Sequence, residues 1–228
     1  MSTIWIRFAT GLFAILIIAS EIADWRHVLA RNAVLRLPRH RDALVLESSY
    51  RAAQGYVELG DILARRKRLE EAMEDYREAI HLSPALAQAH YRLGDAFAAV
   101  GGLDQAIREY REGLAIDPYR TENHFELANL LALRGDLAGA VKEYDEALKM
   151  RPDFAQAHNN LGRVLAAQGR LDEAIEHFRE AIRIQPDFAE AHQVLAGALL
   201  EKGDQKQALV HQQEALRILN SRAKGDPH

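Results

Sequence analysis

The 228-residue chain contains no cysteine. Disulfides, thiolate metal sites and cysteine nucleophiles are therefore excluded. The absence names no compartment, because disulfide-free proteins occur on either side of a membrane. Proline is scarce, at six residues, and tryptophan scarcer, at two. The net charge is only -4, too weak to point to nucleic acid. With 48% hydrophobic and 27% charged residues, most of the chain has the composition of a folded protein. Ala, Leu, Glu and Arg recur throughout, which favours helix.

A constellation for catalysis is also missing. Ser48-Ser49 has no identifiable partner base. Gly101-Gly102 lacks the lysine and the strand-to-helix setting of a phosphate loop. The carboxylate pairs Glu70-Glu71 and Asp172-Glu173 fall where second-helix first turns are expected, and the helix dipole favours acids there. The expectation is a protein that is not an enzyme, with no cofactor, no metal and no small-molecule substrate.

Charge is uneven along the chain. Residues 1–52 carry seven arginines against four acids, whereas residues 53–222 carry 21 basic and 28 acidic residues. The front also holds the longest apolar run. FATGLFAILIIAS, Phe8–Ser20, has no charge, and the seventeen residues from Ile4 to Ser20 are interrupted only by Arg7. That is about 25 Å of helix, slightly short of a ~30 Å bilayer core. Trp5 and Trp25 flank the run where interfacial aromatics belong. Three readings fit it: a single membrane anchor over residues 1–23, a cleaved signal peptide, or a helix buried against protein. Ile18 stands where a cleavable signal wants a small residue, which weighs against cleavage. Arg26, Arg31, Arg36, Arg39 and Arg41 follow the run, so the positive-inside rule places the rest of the chain in the cytoplasm. Signal cleavage would place it in the periplasm instead. Residues 24–52 read as a basic helical arm, with Pro38 ending or kinking a helix.

Four of the six prolines set the architecture. Pro84, Pro118, Pro152 and Pro186 stand 34 residues apart. Ala72, Ala106, Ala140, Ala174 and Ala208 keep the same period, as do Tyr76, Tyr110, Tyr144 and Phe178. Each unit reads as two helices broken by a glycine: Gly101, Gly135, Gly169 or Gly203. Asp153 and Asp187 are candidate N-caps for the helices that follow the prolines. Gln205, Gln212 and Asn220 replace apolar or proline positions in the last unit, so helix 205–219 is expected to be a polar cap. The tail, 223–228, reads as disordered.

The pattern His90, Leu93-Gly94, Phe97, Ala106, Tyr110, Pro118 resembles the tetratricopeptide repeat family. The match covers residues 53–222 as five units: 53–86, 87–120, 121–154, 155–188 and 189–222. The resemblance implies an all-α fold, a right-handed α-solenoid of antiparallel helix pairs. First helices line its concave face, where partner peptides lie in the family. His90, His124, His158 and His192 share one position, at which the family packs a bulky residue. Successive repeats set them about two ~8–10 Å helix spacings apart, so they cannot share one metal ion.

Carried over position by position, the groove comprises Val57, Asp61, Tyr91, Arg92, Asp95, Phe125, Glu126, Asn129, Asn159, Asn160 and Arg163. Tyr91 and Phe125 are expected as aromatic anchors on an otherwise polar face. Glu58, Asp61, Asp95, Glu122 and Glu126 stand against Arg65 and Arg92, which suits a protein or peptide partner with an apolar centre and a basic flank. Family members that clamp acidic C-terminal tails use lysine and asparagine where this chain has Val57, Asp61 and Arg92. Only Asn129 resembles a clamp residue, so no such activity is expected. The function expected is that of a membrane-anchored scaffold, or alternatively of an accessory or assembly subunit of a membrane complex.

Overall fold

A computed structural model of the chain describes residues 40–223. The expected membrane helix, most of the basic arm and nearly all of the tail lie outside the described residues. No helix among the described residues is long and apolar enough to cross a membrane. The chain divides into two units, residues 1–49 and 50–228. Of the first, residues 40–49 are described, as helix.

The described residues form ten α-helices and no strand. They are α1 (His40–Arg65), α2 (Leu69–Leu82), α3 (Ala87–Ala99), α4 (Leu103–Ile116) and α5 (Thr121–Arg134). The rest are α6 (Leu137–Met150), α7 (Ala155–Ala167), α8 (Leu171–Ile184), α9 (Ala189–Glu201) and α10 (Gln205–Ala223). Odd-numbered first helices alternate with even-numbered second helices, each packing on its neighbours in sequence. In addition, α5 touches α7 and α7 touches α9, an approach that no two second helices match. The array therefore curves with the first helices on its inner side.

Two kinds of joint make this geometry. Within a pair, Gly101, Gly135, Gly169 and Gly203 all have φ between 78° and 87°, which costs glycine nothing. The next amide reaches back five residues to a helix carbonyl, as from Asp136 to Leu131 (2.9 Å) and from Arg170 to Leu165 (2.9 Å). The first pair uses the same joint with Lys67 at φ 62°, a non-glycine in the left-handed region. Between pairs, the second helices end two residues before each proline. Pro152 and Asp153 then fill a tight turn closed by Phe154 N–H on Arg151 O (3.3 Å). The caps of α7 and α9 are accordingly Phe154 and Phe188, without side-chain capping. This corrects the N-cap role expected of Asp153 and Asp187. Both lie one residue too early, and Asp187 instead meets Arg222 at 3.2 Å. The acids that do cap are Asp136, on Gly139 N–H (3.0 Å), and Asp204, on Gln207 N–H (3.0 Å).

The alanine ladder is fully buried, and the aromatic ladder lies beside it. Glycines make room for those rings. A Cβ on Gly60, Gly94 or Gly162 would stand 2.5–2.8 Å from Tyr76, Tyr110 or Phe178 respectively. Close approach, rather than backbone freedom, fixes glycine there. One further expectation is corrected at the C-terminal end. Helix α10 carries Gln205, Gln212 and Asn220, yet it leaves Leu209, Val210, Leu216 and Leu219 exposed, so it is no polar cap.

Candidate partner-binding face

The inner face is polar, and much of its polarity serves the fold. The Tyr76 hydroxyl donates to Asp61 (2.9 Å), Tyr110 donates to Asp95, and Tyr144 donates to Asn129 (2.5 Å). Burial pushes all three phenols well above their ordinary pKa, and the carboxylates facing Tyr76 and Tyr110 add to the effect. They remain neutral donors. The fourth repeat has Phe178, which needs no acceptor, and there the matching first-helix residue is Arg163. The acceptor thus appears wherever the ring carries a hydroxyl.

Cross-repeat contacts tie these residues together. Arg92 lies between Asp61 (3.1 Å) and Asp95 (3.5 Å). Asn160 donates to Asn129 (2.9 Å), and Asn159 donates to Asn160 (3.3 Å). Asn159 is 1% exposed, and its Oδ1 has no hydrogen-bond partner. Arg163 reaches Glu190 at 2.5 Å. Glu122 is held by Arg151 (2.8 Å), whereas Glu58 and Glu126 have no cationic partner among the described residues.

Three of the expected contact residues are not on the open face. Val57 and Asn159 are buried. Tyr91 is buried too, its ring fitted over Gly113 and its hydroxyl donating to Asp117 O (2.9 Å). Its burial raises the phenol to about 12. Phe125 is half-buried, with its centroid 4.7 Å from Phe154 and 6.0 Å from Tyr144. The two expected anchors pack on the second helix of their own repeat, Tyr91 over Gly113 and Phe125 beside Tyr144. They lie one residue before the exposed position, and 100° of helical rotation turns them inward.

One opening on this face lies between α5, α6 and α7. It is a cleft of about 410 Å³ lined by Asn129, Ala132, Leu137, Tyr144, Asn160, Arg163, Val164 and Ala167. Its rim offers amide donors and acceptors and one guanidinium, and its floor is apolar. Ala132, Leu137, Val164 and Ala167 were not legible as site residues, because each also fits an ordinary helical core stripe.

Tetratricopeptide repeat models match residues 87–120, 125–188 and 165–224, and a TPR repeat model matches residues 60–101. The chain belongs to the tetratricopeptide repeat (TPR) family. Among solved structures it is similar to MamA 41-end from Desulfovibrio magneticus RS-1 (TM-score 0.71, 22% identity, 75% of this chain and 96% of that one). It is also similar to YrrB, a TPR protein with an unusual peptide-binding site (0.65, 22%, 72% and 84%), and to pilF of Pseudomonas aeruginosa (0.65, 22%, 75% and 78%). At these identities the likeness is one of fold. No curated protein matches the chain.

Within this TPR array the recurring histidine acquires a defined role. His124, His158 and His192 each place Nε2 3.0–3.1 Å from the carbonyl of the proline six residues earlier. A carbonyl only accepts, so Nε2 carries the proton. The histidine thus staples the inter-repeat joint, which accounts for the fixed Pro-to-His spacing. Its Nδ1 faces the second helix: Glu109 opposite His90 (2.9 Å), Glu143 opposite His124 (2.7 Å), His177 opposite His158 (3.0 Å) and His211 opposite His192 (3.0 Å). Both nitrogens of His124 face acceptors, and the Glu143 carboxylate raises its pKa. The two histidine pairs meet with ring centroids 5.2 Å apart, so their Nδ1 atoms point nearly head-on at each other. That geometry shares a proton. It does not converge on a metal. Among the described residues, no three histidines or carboxylates gather around a common point.

Proposed function

We propose that this TPR protein is a non-catalytic, membrane-anchored scaffold that holds an extended segment of a partner protein along its inner face. The α5–α7 cleft carries this reading, because it joins an apolar floor to a rim of amide groups and one guanidinium and lies on the side toward which the array curves. An apolar side chain of the partner fits over Ala132, Leu137 and Val164. A basic flank fits toward Glu126 and Glu58, two acids on the face without cationic partners among the described residues. YrrB, of the same fold, has a peptide-binding site that supports the general mode.

The anchor is the apolar run Ile4–Ser20, bracketed by the only two tryptophans. The arginines that follow it favour the cytoplasmic side for the array, and the family resemblance favours a right-handed superhelix.

The test uses the full chain in native membranes. Gently solubilised chain should co-purify with a discrete partner, and Glu58→Lys with Glu126→Lys should reduce recovery at least about tenfold while leaving the melting temperature unchanged. Full recovery with the double variant overturns the groove assignment. Alkaline extraction should leave the chain in the membrane pellet, and its release there overturns the anchor.

A further inference from the structure

Each internal junction buries two rows of apolar side chains against each other. One row comes from a second helix, and the other from the next first helix. Met73 of α2 is buried with Leu93 and Ala96 of α3 in one cluster. Ile175 of α8 is buried likewise with Leu195 and Ala198 of α9. The two ends of the array carry these same frame positions uncovered. On α1, Leu59 and Ile62 occupy the positions of Leu93 and Ala96, yet they are 46% and 44% exposed, against 3% for each of the latter. On α10, Leu209 and Leu216 occupy the positions of Ile107 and Leu114, yet they are 54% and 59% exposed, against 1% and 9%.

One end therefore displays the half-junction that the other end lacks. We propose that a second copy of this chain stacks end to end on the first, α1 of one copy on α10 of the next, in the register of the internal junctions. In that register Leu59 and Ile62 stand where a sixth repeat would place its first-helix residues. The contact is heterologous, so it propagates as an open chain of copies and does not close as a two-fold dimer.

Charge sets the strength of this contact. Two of the four internal junctions pair a cation at the end of a first helix with an acid in the first turn of the preceding second helix: Arg134 with Asp104 (3.6 Å) and Lys202 with Asp172. The corresponding residues at the ends are Arg66 and Lys206, which are like charges. The end-to-end contact is consequently weaker than an internal one, and added salt strengthens it.

The absence of cysteine makes the test direct. Full-length Leu59→Cys and Leu209→Cys chains, in mild detergent, are mixed or kept apart and treated with a short bis-maleimide. Stacking predicts a 59–209 adduct in the mixture and little from either variant alone. Sedimentation should show concentration-dependent growth beyond dimer. Lys206→Asp, which restores the internal charge pattern, should tighten association about fivefold. Leu209→Asp with Leu216→Asp should give monomer with unchanged melting, since both positions are exposed. Adducts formed equally by each variant alone, or a chain that stays monomeric at every concentration and salt, overturn the proposal. So does a Leu59→Cys thiol shielded from maleimide in the monomer, because the end is then covered by residues 1–39 of its own chain.

Discussion

The Tyr144 hydroxyl donates to Asn129 Oδ1 at 2.5 Å, bridging a second helix to the first helix of the same repeat. Tyr76 and Asp61 make the same bridge, as do Tyr110 and Asp95. A polar residue on the inner face is thus as much a fold element as a contact residue, and substitutions separate the two roles. Asp61→Ala leaves a buried hydroxyl without its acceptor, and we expect a loss of about 1–3 kcal/mol by denaturant unfolding. Tyr76→Phe in that background should recover most of it. Arg163 stands opposite Phe178 and is exposed, so Arg163→Ala should change stability by no more than about 0.5 kcal/mol. An equal effect of both alanine variants would contradict the distinction.

Glycine positions make a second, opposing pair. A Cβ on Gly113 would lie 2.4 Å from the Tyr91 ring, so Gly113→Ala should destabilise by about 1–3 kcal/mol through overpacking. Gly197 has open space around its missing Cβ, and Gly197→Ala in the middle of α9 should stabilise by about 0.5–1 kcal/mol. Lys67→Gly should also stabilise, by about 1 kcal/mol, because relief of the left-handed backbone exceeds the entropy glycine adds to the unfolded chain. Thermal melts read all three signs.

The histidine pairs predict opposite responses to acid in different repeats. Glu143, aided by the Pro118 carbonyl, holds His124 above its ordinary value of 6.5 against the effect of burial. Its contribution to folding is therefore full below that value and is lost as pH rises through the raised one. Burial, and then the facing His158 and His192, hold His177 and His211 below 6.5. Their contribution is present above 6.5 and is lost as pH falls through the lowered values. Acidification from pH 7 to pH 5 should lower the amide protection factors, taken relative to intrinsic exchange at each pH, in α7–α10 but not in α5–α6. His177→Glu should give α7–α8 the behaviour of α5–α6. A uniform response along the array would refute this account.

The frame was legible because a 34-residue period needs no side-chain geometry. Pro152, Ala140 and Gly169 each show their role by recurrence alone. The site was less legible for the same reason, since a position common to all repeats does not state which way one side chain turns. Tyr91 read as an exposed anchor, whereas its ring lies over Gly113, where a Cβ would stand 2.4 Å away. Phe125 differs from Glu126 by a single residue of helical rotation, yet one packs on Tyr144 and Phe154 and the other faces solvent. The histidine partners Glu143 and His177 lie nineteen residues from His124 and His158, a separation that only the antiparallel pairing of the two helices explains. The exposed Leu209 and Leu216 were hidden by the neighbouring glutamines, whose polarity suggested a finished end.

The central claim is that a partner segment lies on the inner face at the α5–α7 cleft. Site-specific photo-crosslinking in native membranes tests it most directly, with p-benzoylphenylalanine replacing Arg163 at that cleft or Arg179 on the second helix α8. The account predicts a discrete adduct from position 163 that is lost with Glu58→Lys and Glu126→Lys, and none from position 179. An adduct from position 179 alone, or one from position 163 that survives the double charge reversal, would contradict it.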